Sequence, residues 1–202
     1  MTDNEKKEDA RVIRTKRDLA DALVELLAEK NFDDLSVKDI SDKALIAKNT
    51  FYNNFADKNE LLSFVMGRYY DVVYRNLKPL LESYRPFPLK RREFFKKSIT
   101  LIVHFFYEKH LPFDKMVQAD HSGALYWALN QLSLQLFETI VAEYPALINK
   151  KGDEKITIYF YAGGVSNLIY SMLDEGYRKN EKDLCNEIYR LIYPTVIETP
   201  VI

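Results

Sequence analysis

The sequence predicts an all-α protein, and three observations predict it. Apolar residues recur at helical spacing in one segment after another. Helix-capping residues stand at the starts of several of these segments. The breaks between them coincide with prolines and glycines, of which the 202-residue chain has seven and six. The expected organisation is a polar, disordered tail over residues 1–10, a small three-helix head over 11–56, and a helical body over 57–202. A long helix at 57–83 belongs to the body and joins it to the head.

The first helix is expected over residues 11–30, where Leu19, Ala22, Leu23, Leu26 and Leu27 form a stripe at i, i+3, i+4, i+7 and i+8. Its other face carries Asp18, Asp21, Glu25 and Glu29, and Arg11, Arg14, Lys16 and Arg17 cluster near its start. Those four cations suit a solvated helix end and phosphate contact equally well. Asn31-Phe32-Asp33-Asp34 reads as a turn, with Phe32 closing the small core. Ser36 caps the second helix, its hydroxyl placed for the amide of Asp39 and the carboxylate of Asp39 placed for Ser36. Val37, Ile40 and Ala44 make that helix's apolar stripe. After a break at Leu45-Ile46-Ala47, a third helix over 48–55 turns Phe51 and Phe55 inward at i, i+4. Asp57 and Glu60 repeat the capping pattern ahead of the long helix.

A helix of eight residues is marginal alone, so its neighbours must hold it and its outer residues are free for contacts. Those residues are Lys48, Asn49, Thr50, Tyr52, Asn53 and Asn54. Asn amides donate to and accept from base edges, Lys meets guanine or phosphate, and Thr and Tyr hydroxyls suit phosphate oxygens. This is the chemistry of a helix-turn-helix whose second helix enters the major groove.

The string ALIAKNTFYNNFADKNEL, from Ala44 to Leu61, resembles the signature of the TetR/AcrR family of bacterial transcription regulators. That family shows a T-[LF]-Y-x-x-F-x-x-K-x-x-L core, and Thr50, Phe51, Tyr52, Phe55, Lys58 and Leu61 match it position for position. With the upstream helix, the resemblance covers roughly residues 12–66, about a third of the chain. Two positions depart from it: Leu45 stands where the family has a turn glycine, and Ala47 stands where it often has a capping Ser. The resemblance implies an N-terminal helix-turn-helix DNA-binding domain and a C-terminal helical bundle for ligand binding and dimerisation. It also implies a backbone-phosphate role for Lys58.

Composition sets the outer bounds. An apolar fraction of 47% allows a full core, and 29% charged residues keep the chain soluble. A single cysteine, Cys185, rules out a disulfide within the chain and favours a reducing compartment. Residues 1–10 are polar and lack the apolar stretch of a signal peptide, and no apolar run reaches the length of a membrane span. A cytoplasmic location is therefore expected. Charge is uneven: residues 1–60 hold 11 Lys and Arg against 14 Asp and Glu, residues 61–110 hold 10 against 4, and residues 111–202 hold 8 against 12. The head lacks the basic excess of many nucleic-acid binders, so binding must depend on where its charges face.

In the body, Leu61, Leu62, Val65, Met66, Val72 and Val73 give the long helix its apolar face, with Pro79 inside it and Pro86 and Pro88 ending it. Residues 90–109 begin basic and become densely aromatic. Pro112 breaks the chain ahead of a short helix over 113–119, and longer helices follow at 122–144, 153–174 and 181–197, with Gly176 between the last two. An effector pocket is expected among Phe95, His104, Phe106, Tyr126 and Trp127. Gly163-Gly164 lies inside a helix, where each glycine costs about 1 kcal/mol, so close approach of another helix is the natural reason. By the resemblance, that helix belongs to a second subunit. The expected dimer interface comprises Gly163, Gly164, Leu168, Leu184, Ile188 and Leu191. The run AGG, an apolar stretch and Gly176 also resembles the C-terminal domain of a subgroup that includes regulators of dihydroxyacetone kinase operons.

Enzyme chemistry finds no support. The histidines His104, His110 and His121 form no HExxH and no i, i+4 pair, Cys185 has no CxxC partner, and no GxSxG, P-loop or GxGxxG is present. No catalytic residue, metal or cofactor is expected. The expected function is that of a homodimeric regulator, a repressor on palindromic double-stranded operator DNA, modulated by a small-molecule effector. Lys48, Asn49 and Asn53 are the expected base readers, with Asn54 in either role, and Ser36, Lys38, Thr50, Tyr52 and Lys58 the expected phosphate contacts. The alternative is a coactivator on the same fold acting through a partner protein.

Overall fold

The computed structural model describes residues 3–87, 90–108, 110–145 and 153–196. The described residues form nine α-helices and no strand, which bears out the all-α reading. They are α1 (Asp3–Leu27), α2 (Val37–Lys43), α3 (Lys48–Tyr52), α4 (Lys58–Tyr84), α5 (Arg91–Glu108), α6 (His110–Gln118), α7 (Ala124–Glu143), α8 (Glu154–Asp174) and α9 (Glu181–Val196). The chain divides into two compact units, the first holding residues 1–68 and 111–128, the second 69–110 and 129–202. The division falls inside α4, after the first residue of α6 and inside α7.

The first unit is assembled around the stripe of α1. Leu19, Ala22, Leu23, Leu26 and Leu27 are all buried, together with Phe32, Leu35, Ile40, Phe51, Phe55, Leu61 and Leu62. Burying each large side chain contributes roughly 1.5–3 kcal/mol. In this small core most of that comes from α1 and the two phenylalanines of the α3 region. Phe113, Met116 and Val117 of α6 and Leu125 of α7 are also buried. Two links fasten α1 by charge: Asp21 meets Arg68 at 2.7 Å, and Glu25 meets Lys43 at 2.9 Å. Two of the acids that gave the head its negative sum are thus paired with cations of α2 and α4.

Several boundaries differ from expectation, each for a local reason. Residues 3–10, expected as a tail, continue α1. They are mostly Asp, Glu, Lys and Ala, and lengthening an existing helix needs no new nucleus. Pro112 lies within the first turn of α6, which starts at His110, because a proline there removes an N–H that has no helical acceptor. Val72, assigned to the inner face of α4, is 37% exposed, whereas Leu61, Leu62, Val65, Met66 and Val73 are buried as expected.

In the second unit, Ile99 and Val103 of α5 pack with Leu184 and Ile188 of α9, flanked by Tyr107, Met172, Cys185 and Tyr189. Burial raises the Cys185 thiol above its ordinary pKa, so this cysteine behaves as a packed apolar group. Along α4 and α7, Tyr74 donates to both carboxylate oxygens of Glu143 at 2.7 Å, and Tyr70 and Thr139 share a hydrogen bond of 2.8 Å. Desolvation and Glu143 together push the Tyr74 phenol far above its ordinary range.

Candidate nucleic-acid interface

The connection between α2 and α3 contains the turn that the sequence made conspicuous. Leu45 adopts φ 57°, the left-handed conformation expected of the missing glycine, and its side chain is 93% exposed. The turn is closed by backbone bonds from Ile46 N to Ser41 O at 2.9 Å and from Ala44 N to Ile40 O at 2.9 Å. Ala47 gives α3 no side-chain cap. What holds this five-residue helix is Phe51, fully buried, and Phe55 just beyond its end, with ring centroids 5.9 Å apart. The ammonium of Lys16 lies 5.5 Å from the Phe55 ring centre.

With its inner side so fixed, α3 presents Lys48, Asn49, Tyr52 and Asn53 to solvent. Among the described residues nothing hydrogen-bonds the amide side chains of Asn49 and Asn53. Tyr52 stands half-exposed, edge-on to Phe51, with the Lys48 ammonium 5.9 Å above its ring. Residues 44–56 contain no carboxylate, so this surface carries the positive charge of Lys48 unopposed from within its own segment. Thr50 is half-buried.

Four other site residues are engaged inside the head. Ser36 and Asp39 form a complete capping box: Asp39 N donates to Ser36 Oγ at 3.1 Å, and Ser36 N donates to Asp39 Oδ2 at 2.8 Å. The Ser36 hydroxyl and then its amide hold the Asp39 carboxyl below its ordinary pKa. Asn54, expected in either contact role, turns its amide back to Thr50 O at 2.8 Å, where it satisfies a carbonyl at the end of α3. Lys38 pairs with Asp42 at 3.2 Å, one turn along α2, but stays exposed. Lys58, expected on phosphate, instead donates to the carbonyls of Phe32, Asp33 and Leu35. At the start of α4, Asp57 accepts from the amides of Asn59 and Glu60, which lowers its own pKa, and Glu60 reaches back to Ala56 N at 2.5 Å.

The other expected sites are placed as follows. Phe106 is buried, Phe95 is half-buried, and His104 is exposed with its ring between Glu181 at 3.1 Å and Glu108 at 3.2 Å; those carboxylates raise its pKa. Tyr126 and Trp127 lie in the first unit, Trp127 63% exposed. An open groove of about 550 Å³ in the second unit is lined instead by Glu138, Asp153, Glu154, Lys155 and Tyr159 among others. Leu184 and Ile188, expected at a dimer interface, are packed against α5 and so lie on the inner face of α9. Gly163, Gly164, Leu168 and Leu191 do reach the surface, Leu191 at 65% exposure. Sequence reasoning missed Ile156, Tyr159 and Phe160, which are 70%, 54% and 71% exposed. With Gly163, Gly164 and Leu168 they fall at i, i+3, i+4, i+7, i+8 and i+12. That spacing was legible, but a helix apolar on both sides reads simply as core.

A helix-turn-helix built on a capped α2 and a packed, polar-faced α3 is the architecture of a DNA-binding domain. Residues 19–64 match the family model described as bacterial regulatory proteins, tetR family. The matched stretch runs from the middle of α1 through α2 and α3 to the first turns of α4, and is similar to the DNA-binding domain of that family. It is 23% identical over 192 residues to an uncharacterized HTH-type transcriptional regulator, YxbF, of Bacillus subtilis (strain 168). That alignment takes in 94% of this chain and 47% of the relative, so the chain spans about half that protein's length. The fold resembles that of the fatty acid degradation regulator FadR from Bacillus halodurans, with a TM-score of 0.62 at 15% identity over 88% of this chain and 93% of that one. It also resembles the dihydroxyacetone kinase operon activator DhaS, with a TM-score of 0.52 at 16% identity over 91% and 97%. Among the described residues, no helix is long and apolar enough to cross a membrane.

Proposed function

We propose that this chain is a transcriptional repressor that binds a palindromic operator as a homodimer and is modulated by a small-molecule effector. The observation that carries the DNA reading is the outer face of α3. Lys48 and Asn49 on α3 and Asn53 at its C-cap are exposed with no competing carboxylate in their segment, and they are the base readers. Tyr52 and Thr50, with Lys38 on α2, are the phosphate contacts; Ser36 contributes through its cap and the exposed end of α2.

The dimer reading rests on α8. A Cβ built on either Gly163 or Gly164 meets nothing within 4 Å, so an intrachain crossing does not account for the glycines. The exposed stripe of Ile156, Tyr159, Phe160 and Leu168 around them has the character of an interface core. Two copies joined along α8 would carry two α3 helices, which on a palindrome must fall roughly 34–36 Å apart. The effector reading draws support from the fold's likeness to a transcriptional regulator, FadR from Bacillus subtilis, solved in complex with stearoyl-CoA. A partner-protein coactivator would have no need of an α3 surface composed of base-reading amides.

The test is binding of the full-length protein to the intergenic DNA upstream of its own gene, across a salt series. Sequence-selective binding that weakens steeply with salt, and is weakened in Asn49→Ala, is the expected result. Absence of selective binding at low salt, with or without cell metabolites, would sink the operator reading and favour a protein partner.

A further inference from the structure

Lys58 opens α4, and its ammonium group sits where three backbone carbonyls converge. Phe32 O lies 2.8 Å from Nζ, Leu35 O 2.9 Å and Asp33 O 3.1 Å. An ammonium has three N–H donors, and here each has its own acceptor. The Phe32 ring adds a cation–π contact, its centre 4.7 Å from Nζ. All three carbonyls belong to the connection between α1 and α2, a stretch with few backbone bonds of its own: Asp34 N to Asn31 O and Leu35 N to Phe32 O, both 3.2 Å. Phe32 and Leu35 are buried by their side chains; Phe32 O already accepts from the amide of Leu35, whereas Leu35 O takes its donor from Lys58.

We infer that Lys58 is a positioning residue of the interface: it clips the α1–α2 connection to the start of α4 and so fixes the platform from which α2 and α3 project. To reach a phosphate, the ammonium would have to abandon three charge-assisted hydrogen bonds, leaving Leu35 O without its donor and Phe32 O with only the amide of Leu35. The clip also demands lysine. Three carbonyls arrayed around one point fit a tetrahedral ammonium, whereas a guanidinium presents its donors in a planar fork suited to a phosphate. In its consequence for DNA this inference rests on the operator reading; in its consequence for the free protein it does not.

The experiment compares full-length Lys58→Arg and Lys58→Gln with the parent, by hydrogen exchange without DNA and by operator binding over a salt series. The expected result is faster amide exchange at Asp34 and Leu35 in both variants. Operator affinity falls by about tenfold in both, the loss of one charge-assisted hydrogen bond, with Arg giving no rescue and the salt slope unchanged. The inference is overturned if Lys58→Arg keeps full affinity while Lys58→Gln lowers the salt slope by about one. Unchanged exchange at Asp34 and Leu35 overturns it equally, and that arm decides even where no selective DNA binding is found.

Discussion

The two short helices of the head, α2 and α3, are held by different means. α2 has a complete capping box and a buried Ile40, with Lys43 tied to Glu25 of α1. Among the described residues α3 has no side-chain N-cap and no ion pair of its own, and its five-residue length could not persist alone. Its stability comes from Phe51 and Phe55, supported at the far end by Asn54. The difference teaches why the polar side of α3 can serve another molecule: folding makes almost no demand on it. In α2, by contrast, the polar residues Ser36 and Asp39 are part of what makes the helix.

The comparison breaks most decisively at Phe51. If α3 is held by packing, Phe51→Ala should cost about 3–5 kcal/mol, the range for emptying a buried aromatic site. Thermal and denaturant unfolding of the full chain would register it, along with loss of the head's helical signal and of operator binding. A cost below about 1 kcal/mol would mean that backbone bonds hold α3 after all. The polar side of the same helix gives the complementary test. Asn49→Ala and Asn53→Ala should leave stability within about 0.5 kcal/mol and weaken selective DNA binding by about 1–3 kcal/mol each, measured on operator against scrambled duplex.

A smaller effect tests the other helix. Ser36→Ala removes the capping hydroxyl of α2 and should cost about 1 kcal/mol near neutral pH. The reverse change in α3, Ala47→Ser, should stabilise by a similar or smaller amount, because it adds an acceptor for Thr50 N. The capping box also has a pH signature. Asp39 titrates below its ordinary value of 3.8 when folded, chiefly through the Ser36 hydroxyl. Its contribution is therefore present above that ordinary value and lost as pH falls through the lower, folded one. The gap in stability between the parent and Ser36→Ala should narrow below about pH 4. A gap that widened in acid would contradict the capping geometry.

Much of this was legible in the sequence. The spacing of Leu19, Leu23, Leu26 and Leu27, the Ser36–Asp39 pattern and the Phe51–Phe55 pair each fixed a local structure, because each acts within a few residues of its own position. Lys58 was legible as a signature residue, but its three acceptors lie 23–26 residues earlier in the chain, and no local pattern announces such a contact. The inner placement of Leu184 and Ile188 was hidden for a related reason. α9 has apolar residues to offer on either side, and which side α5 covers is decided by tertiary packing. The proline in α6 and the helical start of α1 show the limits of residue type as punctuation: both depend on what the neighbouring turn already provides.

The smallest effect sharpens the comparison at the point where the two helices meet. Leu45 holds φ 57° between α2 and α3, a conformation that costs a residue with a Cβ roughly 1–2 kcal/mol. Its side chain is 93% exposed, so replacing it removes almost no packing. Glycine would relieve the strain, but it would also widen the freedom of the unfolded chain, an opposing cost of about 0.4–1 kcal/mol. Leu45→Gly should therefore stabilise the protein by roughly 0 to 1.6 kcal/mol, seen as a small rise in the unfolding midpoint with an unchanged denaturant slope. Operator affinity should stay level, since the turn keeps its conformation. A loss of stability would mean that Leu45 makes a contact with a second subunit that its exposure in the single chain conceals.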